Sequence, residues 1–156
     1  MATSACEVFG DAGIAAICPN YRVAIIAPTT TLAMFNLAAK GAAMAIGALP
    51  ALGDGNEARS LTQQWARAIY EDQPAGLGIT GIHYRSGYNS GQALALWDCD
   101  ADVEVVRDDD DHQQDIALGD PRILPLLQVQ LRRRQIGITT VSSSECNECK
   151  KAALDP

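Results

Sequence analysis

The sequence predicts a mixed α/β (α+β) domain, and three observations carry that prediction. Apolar Ala58, Leu61, Trp65, Ala68 and Ile69 recur at intervals of three and four, which lays one apolar stripe along a helix while Arg59, Gln63, Gln64, Arg67 and Glu71 face water. After it, Ile79 to Tyr84 is a β-suitable run that stops at Arg85-Ser86-Gly87, and Ala93 to Trp97 resumes it as a buried strand. Upstream, Tyr21 to Ala27 is rich in β-branched residues and bounded by Pro19 and Pro28. A chain of 156 residues suits one domain and is too short for two comfortable ones.

Taken in order, residues 1 to 12 are expected as a short helix capped by Thr3 or Ser4. Glu7 stands three residues after Ser4, the spacing of a capping box, so a cap is one role open to it. Asp11 to Gly13 end this helix, and Ile14 to Ile17 lead to a turn at Pro19-Asn20. The Ala- and Gly-rich stretch from Ala38 to Leu52 is expected as a short packed helix, although its glycines weaken helix formation. Asp54 or Asn56 can cap the helix that follows, and Pro74, Gly76 and Gly78 end it. Asp98 to Asp102 and Arg107 to Asp115 are acidic but lack the spacing of a calcium loop, so they read as solvated loop, with His112 inside it. Asp120-Pro121 is a helix-start signal, Ile123, Leu124, Leu127 and Leu131 form the apolar stripe behind it, and Gly137 stops it. Arg132 to Arg134 suit the negative end of that helix. Ile138 to Val141 reads as a closing strand, and residues 142 to 156 as a flexible tail.

Composition narrows the function classes. A net charge of −7 and a pI near 4.6 argue against non-specific nucleic-acid binding, which depends on Lys and Arg neutralising phosphates. Hydrophobic residues make up 47% of the chain but aromatic residues only 5%, so few large side chains fill the core. The start lacks a basic and then apolar leader, and the apolar run Gly41 to Leu52 is too short for a membrane span, which gives a cytoplasmic expectation with no membrane contact. Five cysteines form no evenly spaced framework. Cys146 and Cys149 make a single CxxC without a second pair or a histidine pair in the sequence, so no metal site is expected within one chain. No Gly-rich phosphate loop or nucleophile elbow occurs, and a Ser-His-Asp triad would have to use His83.

Four pieces in order and spacing carry a family resemblance: Ala5 to Asp11, Leu32 to Leu37, WARAIYED on the central helix, and GIHYRS followed by a polar turn and ALALWD. Together they resemble the RES family, toxins of bacterial toxin-antitoxin pairs named for an arginine, a glutamate and a serine. The resemblance spans roughly residues 5 to 98 and implies a fold similar to ADP-ribosyltransferases, with mixed small sheets, flanking helices and a cleft that holds NAD. It implies an NAD-degrading activity, as a glycohydrolase or phosphorylase, with NAD as substrate, no separate cofactor and a cognate antitoxin as partner. Glu7 and Ser86 take the places of the family's glutamate and serine, and Tyr84 and Arg85 are expected beside the nucleotide. The family's arginine lies on a strand well before the glutamate, whereas no Arg precedes Arg22 here. The chain is therefore expected as a RES-like domain over residues 1–141 that lacks this N-terminal segment, with reduced or no activity. Two other readings stay open: a non-catalytic RES remnant that binds or assembles, and an unassigned small α/β protein in which Ser86 is a turn serine and Tyr84 and Trp65 are core. Self-association is left open.

Overall fold

A computed structural model gives the fold and describes residues 2–55, 57–146 and 149–150. In chain order the elements are α1 (Ala2–Phe9), a 3-10 turn (Gly10–Ala12), β1 (Ile14–Ile17), β2 (Arg22–Ala24), β3 (Ile26–Pro28), β4 (Ala33–Asn36), α2 (Ala42–Ala45) and α3 (Pro50–Gly53). There follow α4 (Arg59–Asp72), β5 (Ile79–Arg85), β6 (Gln92–Leu96), β7 (Val103–Val105), β8 (Asp115–Ala117), α5 (Leu124–Arg132) and β9 (Gly137–Thr140). This is the expected α+β class: small sheets, one of three strands and the others of two, with helices between them. The chain forms two compact units, Met1–Ile26 with Val105–Pro156 and Ala27–Glu104. No helix among the described residues is long and apolar enough to cross a membrane.

The first unit is built from the two ends of the chain. Ala5, Cys6 and Phe9 form the buried face of α1, and Leu127 and Leu131, four apart on α5, are fully buried. Burying each such leucine stabilises the unit by about 1.5–3 kcal/mol. Phe9 meets Tyr21 edge to face with ring centroids 5.3 Å apart. Strand β1 pairs in parallel with β9, Ile14 opposite Gly137 through Ile17 opposite Thr140, and it buries Ala15 and Ile17 on one face. β2 pairs antiparallel with β8, and the Arg22 guanidinium is ion-paired with Asp115 across that pair.

The second unit carries the three-stranded sheet in the order β4-β5-β6. β4 and β5 are parallel, so the chain needs a long crossover between them, which the α2, α3 and α4 helices supply. β5 and β6 form an antiparallel hairpin. Gly81 in the central strand cannot carry a side chain, because a Cβ there would lie 2.4 Å from the Ala95 carbonyl oxygen and 2.8 Å from Met34 Cε. At the end of α4, Gln73 takes a left-handed backbone and clamps the helix to the sheet: its amide accepts from Ile79 N at 2.8 Å and donates to Tyr70 O at 2.9 Å. Trp97 Nε1 donates to Ile79 O at 3.0 Å, and its ring packs edge to face on Tyr70.

Several expectations are corrected. The run Tyr21 to Ala27 is broken at Ile25 into β2 and β3, and the second acidic run, Arg107 to Asp115, ends in strand, since Asp115 opens β8. Asp120 starts a turn and not a helix: its Oδ1 accepts from Arg122 N at 2.8 Å, and α5 begins only at Leu124. Ala38 to Leu52 forms most of two four-residue helices where one was expected. The residue before α4 is Ala58, which offers no side-chain cap, so Asp54 is not the cap; Asn56 lies outside the described residues. α1 begins at Ala2, which puts Ser4 and Glu7 inside the helix and not in a capping box. In the turn after β9, Glu145 Oε2 accepts from Ser142 N at 3.1 Å and from Ser142 Oγ at 2.7 Å.

Candidate functional site

The second unit holds a cleft of about 720 Å³, walled by the segment Leu37–Met44, by Pro50, Gly53 and Asp54 around α3, and by Arg85 and Ser90 at the two ends of the β5–β6 loop. Small residues make it. Gly41 has a left-handed φ of 83° at the start of α2, and Gly55, with φ of 69°, brings its backbone against Arg85 and Gly87. A Cβ on Gly55 would sit 2.4 Å from the Arg85 carbonyl oxygen, and one on Gly87 would sit 2.2 Å from the Gly55 carbonyl oxygen. Only two glycines permit so close an approach, and it sets where Arg85 stands. The wall carries two cations, Lys40 and Arg85, against one carboxylate, Asp54, in a chain whose net charge is −7. The local field therefore favours an anionic ligand although the chain as a whole disfavours one.

The expected site residues fall as follows. Arg85 is exposed and lines the cleft. Tyr84 is half-buried and packs on the apolar cluster of Leu37, Ala43, Ala48 and Leu52, together with Phe35, Ile46 and Trp65. Ser86, next in sequence, points the other way and is fully buried. Its Oγ accepts from Tyr88 N at 3.3 Å, while its backbone holds the hairpin loop through Ser86 N to Gly91 O and Ser90 N to Ser86 O, both 2.8 Å. Glu7 lies half-buried on α1, in the first unit, so the paired residues belong to different units. Arg22 is engaged with Asp115. His83 Nδ1 is 3.0 Å from Asn36 Oδ1 on its parallel partner strand.

Residues 1–118 match the family description "RES domain". The chain belongs to the RES domain family. No curated protein and no solved structure matches it. The match to the RES domain takes in Glu7, the whole second unit with its cleft, and both sides of the Arg22–Asp115 pair, and it ends at Leu118, before α5 and β9.

Within the RES domain, sequence reasoning missed Lys40, Gly55, Gly87 and Ser90. Lys40 had a signal, for it is the one charged residue between Arg22 and Asp54. A lone cation in an Ala/Gly run has no helical face to serve, which leaves a ligand or the solvent as its partner. The glycine contact had none, since it joins residues 32 apart through backbone alone.

The cysteines also depart from expectation. Cys18, Cys146 and Cys149 place their sulfur atoms all within 4.8 Å of one another, so the CxxC pair has a partner that spacing did not show. Hydrogen bonding with the thiols of Cys18 and Cys146 raises the Cys149 pKa above its ordinary value. Within the segment after β9, Cys146 is buried and Cys146 N donates to Ser142 O at 3.1 Å.

Proposed function

We propose that this RES domain binds NAD through the cleft of its second unit and belongs, by descent, to enzymes that break the bond between nicotinamide and ribose. The observation that supports this reading is the pairing of Lys40 and Arg85 on one cleft of about 720 Å³. That volume is in the roughly 300–1,000 Å³ range of cofactor sites, and two cations suit a pyrophosphate. When the C1′–N bond breaks, nicotinamide leaves with the electron pair and positive charge builds on the ribose. A carboxylate beside the ribose lowers that barrier electrostatically. Water or phosphate would then take the ribose carbon, giving hydrolysis or phosphorolysis. The setting that fits such chemistry is a bacterial cytoplasm in which an antitoxin partner holds the activity in check.

One observation favours a second reading, in which the domain binds without catalysis. The Ser86 hydroxyl is fully buried and accepts from Tyr88 N within the loop, which supports a turn role for it. On that reading, slow or undetectable cleavage is the expected outcome. Calorimetric titration with NAD, beside an assay of nicotinamide release, tests both. Losing either charge-assisted contact in Lys40→Ala or Arg85→Ala should cost about 1.5–3 kcal/mol, roughly one to two decades of affinity. Unchanged affinity in the double variant removes the cleft from NAD binding. Brisk turnover by the wild-type chain, abolished in Glu7→Ala, overturns the non-catalytic reading.

A further inference from the structure

We infer that Cys18, Cys146 and Cys149 form a binding site for one thiophilic divalent cation, with Zn²⁺ as its representative. The three residues come from two places far apart in the chain: Cys18 follows β1, and the other two lie beyond β9, Cys149 standing 131 positions after Cys18. Their sulfurs nevertheless converge. Cys18 Sγ lies 3.6 Å from Cys149 Sγ, and every pair among the three is within 4.8 Å. Thiolates on a tetrahedral zinc, each about 2.3 Å from the metal, stand about 3.8 Å apart, so the observed cluster needs little adjustment to enclose the ion.

Apolar packing alone does not explain the convergence, because a buried cysteine used as a small hydrophobe has no reason to aim its sulfur at two others. Cys6 and Cys99 are equally buried and join no such group among the described residues. A disulfide would use two of the three sulfurs and strand the third. The neighbourhood also fits a thiolate: Asn20 Nδ2 donates to Cys149 Sγ at 3.4 Å, the kind of outer hydrogen bond that steadies a metal-bound sulfur. An all-sulfur set selects soft cations over Mg²⁺ or Ca²⁺. Cys18 and Cys146 are buried while Cys149 is partly exposed, which puts the fourth coordination position on the solvent side, where water completes it. On binding, the three thiols give up their protons to solvent and three S–Zn bonds form, with no change of oxidation state. The ion would tie the segment after β9 to the turn after β1, adding a fastening to the backbone bond from Val141 N to Ile17 O at 3.0 Å.

The test uses the full chain, reduced, stripped with a chelator and titrated with Zn²⁺ against a chromophoric competitor. One zinc per chain is expected. Asn20→Ala, a surface change that leaves the core untouched, should weaken binding by roughly 10- to 100-fold, Cys18→Ser should weaken it further, and Cys99→Ala should leave it alone. Co²⁺ in place of zinc should give tetrahedral ligand-field bands and a sulfur-to-cobalt charge-transfer absorbance of three thiolates. That spectrum is read on the wild-type chain, so it stands even where Cys18→Ser does not fold. Failure of the reduced wild-type chain to retain zinc overturns the site, as does a two-thiolate cobalt spectrum or wild-type affinity in a folded Cys18→Ser. One zinc per two chains, appearing with dimerisation, likewise overturns it by placing the ion between CxxC pairs of different copies.

Discussion

Substituting Gly55 by alanine should damage both the stability of the second unit and its affinity for nucleotide. Two separate penalties act at that position. The backbone φ of 69° is left-handed, which costs an L-residue about 1–2 kcal/mol. The added Cβ would also lie 2.4 Å from the Arg85 carbonyl oxygen and 2.7 Å from Gly87 N. Both neighbours are backbone, so no flexible side chain can yield and the β5–β6 loop itself has to move, a form of overpacking that costs about 1–3 kcal/mol. The total is about 2–5 kcal/mol. Gly47 supplies the control, because its φ of 82° carries the first penalty while nothing lies within 4 Å of its would-be Cβ. The comparison by thermal unfolding of the full chain should therefore show Gly55→Ala melting below Gly47→Ala by roughly 2–12 °C, from about 2–4 °C per kcal/mol. Because the displaced backbone is that of Arg85, Gly55→Ala should also weaken NAD binding and Gly47→Ala should not. Equal melting temperatures for the two variants would show that the close approach of Gly55 to the loop contributes nothing.

Other perturbations have equally definite outcomes. Leu127→Ala, at a fully buried position on α5, should cost about 2–5 kcal/mol in urea unfolding, whereas Leu126→Ala at an exposed position should change little. Ser86→Ala should lower stability by about 1–2 kcal/mol with no nucleotide present, since the loss is of a buried hydrogen bond to Tyr88 N; a variant as stable as wild type would return the hydroxyl to a ligand-binding role. The Arg122 guanidinium holds the Asp120 carboxyl at about 2 in place of the ordinary 3.8. A folded pKa so lowered gives a contribution present above 3.8 and lost as pH falls toward about 2, and NMR titration of Asp120 should move back up in Arg122→Ala.

What the sequence disclosed follows from how local each feature is. α4, β5 and β6 were readable because their periods run over five or more neighbouring residues or sit between strong turn signals, as with Pro74, Gly76 and Gly78 after α4. β7 and β8 have three residues each, too few to show alternation, and they lie within acidic sequence that also satisfies a loop. The parallel pairing of β1 with β9 joins residues more than 120 positions apart, and nothing in Ile-Ala-Ala-Ile names its partner. Cys18 was hidden for the same reason. Spacing detects a CxxC because its two ligands share one turn of chain, whereas the third thiol enters from the other terminus of the sequence.

The candidate site divides along a different line. Position was legible at Tyr84-Arg85-Ser86, because strand alternation fixes that two neighbouring side chains face opposite ways. Hydrogen-bond partners were not, since they depend on what the fold brings near, and the Ser86 oxygen accepts from a backbone amide two residues on. The cleft itself stems from what the sequence lacks. With aromatic residues at 5% and an Ala/Gly run from Ala38 to Gly53, two short helices pack around Ala43 and Leu52 without large side chains to fill the space in front of them. A volume left open by small residues stays dry and empty if its walls are apolar. Lys40 and Arg85 instead place two solvated cations on that wall, so the space is wet and its walls attract anions. Replacing both cations by Leu would therefore leave the cavity in place while removing its ligand preference, which separates the shape of the cleft from its chemistry in a single variant.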